Sequence, residues 1–123
     1  MLILLAIASG GAIGALLRYG VANGSAVLWG SGFAYGTLIA NVSGCLLIGI
    51  FYSMYQDRMV SPETRALIQT GLLGAFTTFS TFSLETLRYL EQGELFKAGI
   101  NVALSLILCL LATWAGLLVG RNI

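Results

Sequence analysis

The chain has 123 residues, 58% of them hydrophobic and only 9% charged, with a net charge of +1. Soluble domains average about 25% charged residues, so this composition cannot clothe a water-facing surface, and the near-neutral balance argues against a nucleic-acid partner or an acidic substrate. Histidine is absent and the two cysteines, Cys45 and Cys109, lie inside apolar runs, which leaves no usual metal-ligand spacing and no disulfide framework.

A helix crosses the hydrocarbon core with about 20 residues, and four apolar stretches reach that length: residues 2–22, 34–55, 66–90 and 96–120. They predict an all-α integral membrane protein, a single transmembrane domain over residues 1–123. The first stretch has no basic segment before it and runs on through Arg18 without a cleavage site, so it reads as a span rather than a signal peptide. A turn at residues 23–33 follows, with Gly24, Gly30, Gly32 and the interfacial anchor Trp29. Asn41 falls midway along the second stretch, where an amide needs partners and its NH2 group offers two donors suited to an anion. The second loop, residues 56–65, ends in Ser61-Pro62-Glu63. A serine cap, a proline at the first helical position and an early acid together announce a helix start.

The third stretch is abnormal. Residues 77–83, Thr-Thr-Phe-Ser-Thr-Phe-Ser, hold five hydroxyl side chains in seven positions and follow Gly71 and Gly74. Glycine weakens a helix and hydroxyls can pair with the backbone groups it releases. This predicts a third helix broken near its middle, around Gly74–Thr78, with carbonyls free to hold a cation. Phe79 and Phe82, three apart, share a helix face beyond the break. Packing is the ordinary use of such a pair; a positive ring edge turned toward a small dehydrated anion is the other. After a tight turn at Gly93, the last stretch carries Asn101, Ser105 and Cys109 at four-residue steps with Thr113 next, a stripe equally suited to gluing helices or lining a pore.

Small residues recur four apart at Gly10 and Gly14, Gly11 and Ala15, Gly36, Ala40 and Gly44, and Ala112, Gly116 and Gly120. Such rows let helices approach closely in lipid, and four helices enclose little volume, so some of these faces are expected between subunits. The termini and second loop carry Arg58, Arg65 and Arg121, and the opposite side Arg18, Arg88 and Lys97. That even division gives the positive-inside rule little to act on and permits insertion both ways. Arg18 and Glu85 are the only ionisable candidates deep in the spans, each nearer an end than the centre. Proton-coupled transport wants a carboxylate near the midplane, and no nucleophile–base pair or phosphate loop supports an enzyme.

At these residues the chain closely resembles the small bacterial fluoride channels of the Fluc (CrcB) family. Four segments carry the resemblance: residues 10–15 with Arg18-Tyr19; Gly36-Thr37-Leu38 with Asn41 and Gly44; residues 71–76; and the highly specific run 77–83. The resemblance implies an antiparallel homodimer in the bacterial inner membrane, with two pores that let fluoride leave the cytoplasm passively and so limit its toxicity. In that scheme Phe79 and Phe82 turn ring edges to the ions, Asn41 is the pore asparagine, and Ser80, Thr81 and Ser105 add hydroxyls. Arg18 brings positive charge to a vestibule, and the Gly74 and Thr77 carbonyls hold a structural sodium ion at the dimer centre. Asn101 and Cys109 stand where some relatives carry Tyr and Ser. A small exporter of cationic drugs, the main rival, would need an essential membrane carboxylate, for which only Glu85 could serve.

Overall fold

The computed structural model describes residues 1–123 as five helices and no strand. They are α1 (Leu2–Trp29), α2 (Tyr35–Gln56), α3 (residues 62–76), α4 (Phe79–Glu91) and α5 (Leu95–Asn122). Three of them, α1, α2 and α5, are long and apolar enough to cross a membrane uninterrupted. The third apolar stretch is divided between α3 and α4. Only 19 of 123 residues are buried within the chain, and its large apolar side chains point mostly outward, as lipid-facing helices require.

The first helix is longer than its apolar stretch suggests. It continues past residue 22 to Trp29 and stops at Gly30, whose φ of 76° lies in the left-handed region and whose N–H closes on the Ala26 carbonyl. Only residues 30–34 remain as the turn. The start of α3 follows its sequence signature. Ser61 Oγ accepts from the Thr64 N–H at 3.2 Å with Pro62 in the first turn. Arg65 Nη2 then donates to the Tyr55 carbonyl at 3.1 Å, satisfying an orphan acceptor at the end of α2.

Between Ala66 and Leu73 the third helix widens to a π-helix, a winding that the glycine and hydroxyl pattern does not foretell. Such segments are rare and frequent at functional sites. The widened turn lies directly on α1. A Cβ at Gly10 would stand 2.2 Å from the Leu67 carbonyl oxygen, and one at Gly14 2.1 Å from that of Leu72. No side chain fits there, so the two backbones touch. On the other side of the chain α2 and α5 run parallel in equally close contact, Gly49 against Thr113 and Gly116, and Gly120 against Ile50 and Ser53. Ser53 Oγ donates to the Leu117 carbonyl across the same contact, at 2.9 Å. The rows Gly10–Gly14 and Gly116–Gly120 are therefore spent inside the chain rather than between subunits. The row of Gly11 and Ala15 faces outward instead: nothing lies against Gly11, and Ala15 is exposed.

Candidate functional site

The break in the third apolar stretch is narrower than Gly74–Thr78. Gly74 through Phe76 are still helical, and only Thr77 (ψ 156°) and Thr78 (φ −153°, ψ 115°) are extended. Side chains, not strain, hold it open. The Thr78 N–H, whose α-helical acceptor would be the Gly74 carbonyl, goes instead to Asn41 Oδ1 at 2.7 Å. Asn41 Nδ2 donates back to the Thr78 carbonyl at 3.0 Å. One amide thus takes both backbone polar groups of Thr78, the residue at which the chain leaves the helix. Thr78 then caps α4: its Oγ1 accepts from the Thr81 N–H at 3.1 Å, diverting that donor from the Thr77 carbonyl.

Both diversions free carbonyls. Those of Gly74 and Thr77 each lose the donor four residues on, and Gly74 lies exposed on the outer face of the chain. Neutral oxygens released in this way suit a hard cation such as sodium, so the residues present fit the expected ion. The intervening carbonyl, that of Ala75, accepts from Arg18 Nε at 3.0 Å. Because α1 is 28 residues long, Arg18 stands only about 4 Å past that helix's midpoint at 1.5 Å rise per residue, not near an end.

Around the break runs an open groove of about 360 Å³ that gathers most of the expected residues: Asn41, Gly74, Thr77, Phe79, Phe82 and Ser105. The two phenyl rings stand 5.4 Å apart, tilted by 46°, with Phe82 buried and Phe79 74% exposed on the chain's surface. Phe79 therefore has room to meet something outside this chain. Ser105 is buried at 7% exposure, yet its hydroxyl takes no hydrogen bond from the protein, unlike Ser9 and Ser43, which bond back to their own helices. Thr78 Oγ1 donates to Thr81 Oγ1 at 3.0 Å and shares a hydrogen bond with Ser80 Oγ at 3.2 Å, so Ser80 and Thr81 belong to the cap rather than the groove wall.

Asn101 is nearly inaccessible and donates to Thr86 Oγ1 at 3.0 Å, so it glues α5 to α4. Cys109 and Cys45 line the groove, as do Gln69 and Thr78. Gln69, which the sequence reading passed over, lies in the π-helical segment. Glu85 is elsewhere. It lines a second hollow of about 390 Å³ with Thr37, Arg88 and Tyr89, where its Oε1 is buried without a hydrogen-bond partner.

Three continuous apolar helices, a third apolar stretch broken at a polar clamp and an open groove beside the break define a multi-pass membrane protein, in bacteria one of the inner membrane. Residues 5–117 match the family described as CrcB-like protein, Camphor Resistance (CrcB), and the chain belongs to that family. Among its relatives is the fluoride-specific ion channel FluC of Shewanella amazonensis, 56% identical over 110 residues that cover 89% of each chain. FluC of Shewanella baltica is 50% identical over 113 residues, 92% of this chain and 91% of the relative. FluC of Methylococcus capsulatus is 50% identical over 121 residues, 98% of this chain but only 53% of that longer relative. These relatives are named as ion channels, not enzymes.

Proposed function

We propose that this chain is a fluoride-selective channel, passing fluoride passively out of the cytoplasm and so limiting its toxicity. It works as an antiparallel homodimer with two pores. The observation that carries the reading is the groove in which the Asn41–Thr78 clamp, the Phe79–Phe82 pair and the unpartnered Ser105 hydroxyl meet. Fluoride holds its water tightly, so a selective path must replace that water with donors, yet without full positive charges that would trap the ion. After its bond to Thr78, Asn41 keeps one amide N–H to offer. The Ser105 hydroxyl and the phenyl edges supply further positive hydrogens. Ser80 and Thr81 act through the cap, holding Phe79 and Phe82 at the start of α4. Arg18, fixed at Ala75, lends positive potential toward a vestibule without entering the path.

The exposed Phe79 ring and the exposed Gly74 both ask for a partner surface, which a second copy in the opposite orientation provides. There the Gly74 and Thr77 carbonyls of the two chains hold a sodium ion, whose charge offsets the released dipoles. The test is fluoride efflux from liposomes containing the purified protein. Rapid, voltage-driven efflux without proton coupling is expected. Phe79→Ile or Phe82→Ile is expected to abolish it while the dimer persists on size-exclusion chromatography. Absence of efflux from the unmodified protein sinks the function, and undiminished efflux in both variants sinks the ring-edge role.

A further inference from the structure

Cys45 and Cys109 are the chain's only cysteines, both are free, and both open into the groove. The packing of α2 on α5 sets them side by side. These helices run parallel, and a Cβ at Gly49 would stand 2.4 Å from the Thr113 carbonyl oxygen. Cys45 and Cys109 each lie four residues, one turn, before that contact, where the backbones are still close. Both side chains line the same stretch of groove wall. No third Cys, His, Asp or Glu joins them.

We propose that Cys45 and Cys109 form a two-thiolate site for a soft divalent metal ion that accepts linear coordination, with mercury(II) the ion of that class that fits best. Zinc would want four ligands, and only two are within reach. Thiolates select soft metals. Among these, a monovalent ion such as copper(I) or silver(I) between two thiolates would leave a net negative charge in an apolar groove, which is costly. A divalent ion leaves none. Each thiol releases one proton to water in the groove, two S–metal bonds replace two bonds from the metal to water, and nothing is oxidised or reduced.

The site lies in the same groove as Asn41, Phe82 and Ser105. If that groove is the fluoride path, as proposed above, an ion held there obstructs it. Binding and flux are therefore measured separately. In detergent, mercury(II) in competition with a chromophoric chelator is expected to bind one ion per chain. Cys45→Ser and Cys109→Ser each remove one of the two metal–sulfur bonds and should weaken that binding by well over about 100-fold, the upper end for losing a mere outer-shell partner. Methylmercury, which has one free coordination position, serves as the second measurement on the unmodified chain and should bind far more weakly than mercury(II), with up to two per chain. Two mercury(II) ions per chain, or equal affinity in either serine variant, overturns the paired site. In liposomes, mercury(II) should stop fluoride efflux from the unmodified chain and lose that effect in each variant, each compared with its own uninhibited rate. Tight single-ion binding without block leaves the metal site standing and removes the fluoride path from this groove.

Discussion

Asn41 is the residue on which the break depends, because its one amide satisfies both the N–H and the carbonyl of Thr78. Each neutral hydrogen bond contributes about 1 kcal/mol net, but a buried group left unpaired costs about 1–3 kcal/mol. Asn41→Ala orphans two such groups and is expected to lower the unfolding midpoint in detergent as well as the flux. Asn41→Asp is the sharper probe. It keeps an acceptor for the Thr78 N–H, loses the donor to the carbonyl, and places negative charge on the groove wall. A chain that remains folded and dimeric but conducts at least about tenfold less is expected, since like charge repels the permeating anion. Flux equal to that of the unmodified chain would remove Asn41 from the ion path.

The break itself was legible because it is written in side-chain chemistry: two glycines, then hydroxyls at the first turn of a new helix. The serine cap at Ser61 was legible too, from Ser61-Pro62-Glu63, whereas Thr78 as the cap of α4 emerges only in the structure. The π-winding of Ala66–Leu73 was not legible, since nothing in Ala-Leu-Ile-Gln-Thr-Gly-Leu-Leu distinguishes it from an ordinary apolar helix. It lies against α1 at Gly10 and Gly14, a tertiary contact that the segment's own residues do not announce. The same limit hid Gln69 from the candidate site, and it turned the Asn101 alternative from pore lining to helix glue. At this scale the cap can be tested by itself. Thr78→Ala removes the acceptor for the Thr81 N–H and should cost about 1 kcal/mol, whereas Thr78→Ser retains the oxygen and most of the stability. Thermal unfolding in detergent should rank the serine variant with the unmodified chain and the alanine variant below both. Equal midpoints for serine and alanine would mean that packing, not the cap, starts α4.

For the whole molecule, the charges that set orientation are even scarcer than the sequence suggests. Arg18 is engaged at Ala75 inside the bundle and drops out of the loop tally. Arg58, Arg65 and Arg121 then face only Arg88 and Lys97, and Lys97 is held by Glu94 at 2.7 Å. Arg58 Nη2 reaches the Ile123 carbonyl at 3.3 Å, which puts the second loop and the C-terminus on one side as four crossings require. A margin so small is easily tipped, because orientation follows the lysines and arginines near the span ends. Gln56→Lys with Asn122→Lys adds two positive charges to that side and should fix it in the cytoplasm. Glu91→Lys with Gln92→Lys should fix the opposite orientation. Each biased chain is expected to insert one way only, as read by a C-terminal tag, and to give little fluoride flux by itself. Producing both in one cell should restore flux, because only then do oppositely inserted copies meet. Full flux from one biased chain expressed alone would show that antiparallel pairing is not needed, and the exposed faces of Phe79 and Gly74 would have to find their partner in a parallel assembly.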